Sequence, residues 1–160
     1  MHSATLCAGL GLLSIAAVAR AAEDPPPLAP ADVKAGRTVY RHACASCHGA
    51  RGGGAPNWER PDAQGEMPAP PHDKHGHTWR HSDAMLYRIV QNGWRDEFNK
   101  TQRLTMPAFE GQLSPKQTVA VITYLKTLWR CDQRRFQWEE SRREPFPPEA
   151  LISGTRKAER

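Results

Sequence analysis

Cys44-Ala45-Ser46-Cys47-His48 is the stretch on which the reading of this 160-residue chain turns. Two thiols two residues apart, followed at once by an imidazole, have the spacing that attaches haem c: each Cys forms a thioether and the His ligates the iron. On one helical turn Cys44 and Cys47 fall at i and i+3 and project to the same side, and the next residue swings His48 across the ring face. With 4 Cys and 7 His in the chain, composition alone would produce about 0.004 such patterns, so the motif is not accidental. A thioredoxin-like redox pair would need a βαβ setting, and half a zinc site would need a second Cys or His pair at defined spacing.

The surrounding composition suits a domain that a cofactor completes. Only 39% of residues are apolar, and 14 Pro with 12 Gly make much of the chain loop. A single domain of this size buries a modest core, and a large apolar group such as haem supplies what is missing. Residues 6–18, LCAGLGLLSIAAV, followed by Ala19-Arg20-Ala21, read as a secretory signal peptide over 1–21 and place the protein in the periplasm. An uncleaved anchor is the alternative, because the residues before the apolar run carry no Lys or Arg, only His2. The run is too short to span a bilayer comfortably, and the mature chain is expected to have no integral membrane segment. Cys7 falls inside the discarded segment. The whole chain has a net charge of +5, to which residues 1–21 contribute only Arg20. The remaining positive excess suits docking to a redox partner with an acidic surface and is too small and dispersed for nucleic acid.

Residues 22–30 are a Pro-rich linker that cannot be helical. Asp32 is the expected N-cap of a helix that carries Val33, Gly36, Tyr40 and Ala43 on one face and delivers the attachment motif. Gly36 suits the close approach of a second helix. The Gly-rich loop 49–56 has no preceding strand and no following Lys-Ser/Thr, so it is not a phosphate loop, and its glycines suit close passage under a bulky ring. Ser82 caps a helix with Met85, Leu86, Ile89 and Val90 as its stripe and Asn92-Gly93 as its stop. Ser114-Pro115 opens the last helix, with Gln117 completing a capping box and a stripe running from Val121 to Trp129. Beyond Arg130 the charges and prolines predict an extension over 131–160, with 131–140 loosely packed through Phe136 and Trp138 and 144–160 mostly disordered.

Taken in order, the attachment motif after an N-terminal helix, the Gly-rich loop, a middle helix, Met106-Pro107-Ala108-Phe109 and a capped C-terminal helix resemble the class I monohaem cytochromes c over residues 31–130. The resemblance implies an all-α fold of three to four short helices wrapped around one covalent haem c. It implies Met106, 58 residues after His48, as the distal ligand, and a helix crossing at Gly36, Tyr40 and Tyr124. A thioether is a soft, weak donor that favours ferrous iron and fills the sixth site against oxygen. Met67 in a second Met-Pro-Ala run, Met85, and His72, His75, His77 or His81 are the rivals for that position.

Three functions follow from these residues. The first is an electron carrier, monomeric, that transforms no substrate. The second is a haem subunit of an oxidase or a peroxidase-like protein with an open sixth site. The third is a copper-handling accessory in which the His-rich 72–81 loop, with Met67 nearby, binds copper or zinc. The bland reading of that loop is a solvated segment with one or two histidines and Trp79 against the haem. Cys131 stands unpaired; it suits either a disulfide-linked dimer or a buried thiol beside Trp129. His42 reads as an exposed helix residue.

Overall fold

The computed structural model describes residues 24–151. Residues 1–23, which include the signal peptide expected over 1–21, and residues 152–160 lie outside them. Among the described residues six α-helices, more than the three to four expected, run in the order α1 (Pro30–Ala43), α2 (Ala45–His48), α3 (Asp83–Asn92), α4 (Pro115–Leu125), α5 (Cys131–Arg143) and α6 (Pro148–Leu151). A 3-10 turn at Thr78–Arg80 precedes α3 and another at Lys126–Leu128 follows α4. Among the described residues there is no strand, only an isolated antiparallel bridge between Trp94 and Met106. The all-α expectation holds.

α1 begins earlier than Asp32. Pro30 takes the first turn and Ala29 the cap, without a side-chain hydrogen bond. The reason is that Pro at N1 has φ preset for helix and no N–H to leave unsatisfied. Asp32 stays in the first turn, where its charge meets the positive helix end. The helix does not run unbroken into the motif either. Cys44 departs to φ −118°, and a separate short turn carries Ala45–His48, closed by the His48 amide donating to the Cys44 carbonyl at 2.9 Å.

α1 crosses α4 at Gly36, as the resemblance to the class I cytochromes c implies. A Cβ there would sit 1.9 Å from the Ala120 carbonyl oxygen and 2.9 Å from Tyr124 Cβ, so only hydrogen fits. Next to the crossing, Tyr40 is fully buried and packs on the Tyr124 ring at 5.3 Å. Its hydroxyl donates to the Gly49 carbonyl at 2.9 Å, which ties the core to the loop after the motif. Val121, Ile122, Leu86 and Trp129 complete the core.

The other two sequence-predicted caps, Ser82 and Ser114, are present. Ser82 Oγ accepts from the Met85 amide at 3.1 Å, and Ser114 with Gln117 forms the reciprocal capping box. α4 gives way to the 3-10 turn at Lys126 rather than continuing to Trp129.

The extension departs from expectation most. Residues 131–143 are a helix docked on the domain, and α6 sends Ala150 into the core. The predicted anchors are not what holds it: Phe136 is 43% exposed, touching Trp79 edge-on. The buried face is polar, formed by Gln133, Gln137 and Ser141. Gln137 Nε2 donates to Asp83 Oδ1 and to Ser141 Oγ, each at 2.8 Å. Ser141 Oγ accepts from the Asp83 amide at 3.0 Å, and Lys126 Nζ meets the same carboxylate at 2.7 Å. Hydropathy reads such a face as solvent-exposed, because it counts groups and not the partners that satisfy them.

Candidate cofactor site

A cavity of about 970 Å³ opens between α2, α3 and the segments 62–81 and 94–109. That is at the upper end of the range for cofactor sites, roughly 300–1,000 Å³. Cys44, Cys47, His48 and Met106 all line it, and so do Met67, Met85, His72, His77 and His81. The structure therefore brings the four sequence-predicted site residues together, while leaving the two rival thioethers facing the same space.

His48 is 7% exposed. Its Nδ1 lies 2.8 Å from the Pro70 carbonyl oxygen; a carbonyl only accepts, so Nδ1 carries the proton and Nε2 keeps its lone pair. Burial lowers the pKa of this ring against an opposing contribution from that hydrogen bond, which keeps it in the neutral form that binds metal. Burial also pushes the Cys44 thiol up to about 11, with the neighbouring Cys47 adding to the rise. A redox-active Cys-x-x-Cys runs the other way, with a depressed thiol pKa at its nucleophile.

The segment that holds His48 is stiff. Pro70 and Pro71 have fixed φ, and the chain after them is pinned by the His72 and Asp73 amides, which donate to the Gly52 carbonyl at 2.8 and 3.0 Å. Here lies the reason for the glycines of the 49–56 loop. Gly49, Gly52 and Gly54 adopt positive φ, which favours glycine at each, and at Gly54 the neighbouring backbone also demands it, since a Cβ there would meet Pro71 N at 2.7 Å. Gly76 is needed in the same way, a Cβ there lying 1.9 Å from the Pro71 carbonyl oxygen.

The histidine run is divided by the fold. His72 stacks on His48 with ring centroids 3.8 Å apart and planes inclined by 26°. Its pKa falls well below the usual His range, first through burial and then through the nearby His48 and His77. His75 is exposed and faces Asp73. His77 and His81 meet edge to face at 5.4 Å. Among the described residues no group of three or more His, Cys, Asp or Glu is arranged to hold a metal ion. Trp79 does not lie against the cavity; its indole packs on Phe136 and donates to the Gly76 carbonyl at 2.9 Å.

Met106 is held by its backbone: it exchanges two hydrogen bonds with Trp94, each 3.0 Å. Gly93 leaves α3 at φ 76°, and a Cβ there would meet the Met106 carbonyl oxygen at 2.7 Å, so the Met106 segment packs where only a glycine fits. Met67 is held from across the cavity, its amide donating to Asn99 Oδ1 at 2.7 Å. Beside it Glu66, 3% exposed, takes hydrogen bonds from Thr101 and both ends of the Arg103 guanidinium. These hydrogen bonds, Arg103 first, hold its carboxyl below the ordinary range. The sequence marked none of Pro70, His72 as a stacking ring, Glu66 or Asn99. The Pro run signalled a rigid segment, but which carbonyl meets His48 is set by tertiary packing.

The residues fit haem c. Two thiols and a free imidazole nitrogen share one cavity of adequate size, and Arg95 and Arg103 at the same cavity offer cations to its carboxylates. Fold and site together define a class, the small helical proteins that carry covalently attached haem c. The chain belongs to the Cytochrome c family, whose sequence profile matches residues 33–129. Electron transfer through haem is the activity of that family, and haem c its cofactor. No curated protein and no solved structure matches the chain significantly. Among the described residues no helix is long and apolar enough to cross a membrane.

Proposed function

We propose that this protein is a periplasmic electron carrier of the class I type, with one haem c attached at Cys44 and Cys47 and its iron held between His48 and Met106. When bound, the haem supplies a one-electron Fe(III)/Fe(II) couple. The protein's part is to hold the couple in place, keep water from it and set its ligand field. The observation that carries the reading is the shared cavity, with His48 Nε2 left free by the Pro70 carbonyl and Met106 delivered on a backbone clamped to Trp94. Met106 comes on a segment docked at the end of α3, whereas Met67 shares its short segment with the carbonyl behind His48. Pro107 stiffens the Met106 loop and has no N–H to satisfy.

The periplasmic placement rests on the signal-like residues 1–21, and an acidic redox partner on the positive excess of the chain. A transient contact suits a carrier, because turnover requires release. The copper-handling alternative would draw on His72, His77, His81 and Met67, which line the same cavity, and we favour the carrier because the attachment motif shares that cavity. Cys131 is exposed rather than buried beside Trp129; we expect a monomer, and a disulfide-linked dimer through Cys131 on non-reducing electrophoresis of the exported protein would overturn that.

The test is optical. The ferric protein is expected to show the far-red band of a Met–iron bond, which Met106→Ala abolishes and Met67→Ala leaves in place. Loss of the band in Met67→Ala instead would reverse the ligand assignment. Intact mass should show one haem and no residues 1–21.

A further inference from the structure

Directly behind the imidazole that faces the cavity lies a second one. His48 and His72 are stacked at 3.8 Å and 26°, and each is fixed by its own chain of hydrogen bonds from two successive prolines. The Pro70 carbonyl takes the His48 Nδ1 proton at 2.8 Å. The Pro71 carbonyl takes the Thr78 hydroxyl proton at 3.3 Å, and with that proton so placed, Thr78 Oγ1 accepts from His72 Nδ1 at 2.9 Å. Both rings therefore carry the proton on Nδ1 and leave Nε2 bare.

His72 is the better anchored of the two. Its amide donates to the Gly52 carbonyl at 2.8 Å, and its carbonyl accepts from the Trp129 indole at 2.9 Å. The Tyr40 ring meets it edge-on at 6.2 Å. His48, by contrast, has one side-chain hydrogen bond, which fixes where Nδ1 sits but leaves the ring free to rock about the line from Nδ1 to its carbonyl. A flat, immobile neighbour in van der Waals contact removes that freedom. Ligand rings are oriented by such neighbours, and orientation is one of the few levers a protein has on the metal.

We propose that His72 is a positioning residue that sets the plane of the axial His48 imidazole by stacking, with Thr78 holding His72 in register. The inference rests on the axial role assigned to His48 above. It explains why one histidine of the 72–81 run is folded against the motif and not left in solvent. The role is carried by the flat ring and its fixed angle, so a phenyl ring substitutes for it and an aliphatic side chain of similar bulk does not.

The haem-loaded protein is compared with His72→Phe, His72→Leu and Thr78→Val. The readout is the proton NMR spectrum of the ferric form, in which the order and spread of the haem methyl signals follow the plane of the axial imidazole; reduction potential and thermal midpoint are recorded alongside. His72→Leu is expected to reorder the methyl signals and shift the potential, His72→Phe to keep the parent order, and Thr78→Val to move in the direction of His72→Leu by a smaller amount. A merely structural role would lower the thermal midpoint in all three and leave the methyl order intact, and that result overturns the proposal. So does an order changed equally by Phe and Leu. If His72→Leu fails to load haem, Thr78→Val decides, a parent-like spectrum counting against the proposal. His48→Ala separates the two readings: a retained low-spin spectrum there would sink the axial assignment and this inference with it. Loss of that spectrum, combined with a parent-like His72→Leu, would overturn the positioning role alone.

Discussion

Gly36 shows how much a single hydrogen atom decides in this fold. On an exposed helix, Gly→Ala gains about 1 kcal/mol of helix propensity. At Gly36 the new Cβ would lie 1.9 Å from the Ala120 carbonyl oxygen, and overpacking of that kind costs about 1–3 kcal/mol, or more when backbone must move. The second effect wins, so Gly36→Ala is expected to lower the denaturation midpoint. Gly53 is the control: nothing lies within 4 Å of its Cβ position and its φ is not positive, so Gly53→Ala should be neutral or stabilise by about 0.4–1 kcal/mol. Urea titrations of the two variants check both signs. The crossing beside Tyr124 was implied by the resemblance to the class I cytochromes c; what the residues themselves made legible was the face that Gly36 shares with Tyr40, through helical spacing. Cys44, Cys47 and His48 were legible for the same reason, their geometry being that of one local turn. His72 was not, because a stacking partner is chosen by where Pro70 and Pro71 carry the chain, and the four histidines between 72 and 81 look alike until they are folded apart.

At the scale of elements, the capped helices α3 and α4 were readable and the helix α5 was not. Ser82 and Ser114 announce their helices through a backbone chemistry that belongs to a few adjacent residues. α5 announces nothing, because its buried face is Gln133, Gln137 and Ser141. It lies just beyond the residues matched to the family, 33–129, yet it is part of the same body. Gln137 bridges Asp83 and Ser141, and Gln133 Nε2 donates to the Lys74 carbonyl at 3.0 Å, so α5 grips both α3 and the 72–81 loop. Gln137→Leu keeps the volume and removes one of the two donors to Asp83 Oδ1, leaving Lys126 Nζ at 2.7 Å as the other, so what is lost is a hydrogen bond to a charged group. The expected cost is about 1–3 kcal/mol, measured as a lowered midpoint in chemical denaturation.

Across the whole molecule, the cavity is closed by two segments distant in sequence, 62–72 and 94–109, which meet through side chains. Glu66 with Arg103 and Thr101, and Asn99 with the Met67 amide, are the fastenings. Their charge makes the closure depend on pH with a definite sign. Hydrogen bonds from Arg103 and Thr101 lower the Glu66 pKa below its ordinary 4.5 in the folded protein. The unfolded chain therefore takes up the proton first as pH falls. The contribution of Glu66 is fully present above pH 4.5 and is lost as acid takes the folded carboxyl through its own lower pKa. Glu66→Gln keeps the shape and one acceptor oxygen but abolishes the titration. We expect it to be less stable than the parent at neutral pH and to converge on it in acid, so that the gap between the two thermal melting curves narrows below pH 4.5. A gap that stayed constant with pH would mean that the Glu66 charge does not fasten the segment carrying Met67 to the one carrying Met106. The closure of the cofactor cavity would then rest on the Asn99 hydrogen bond and on packing against the haem alone.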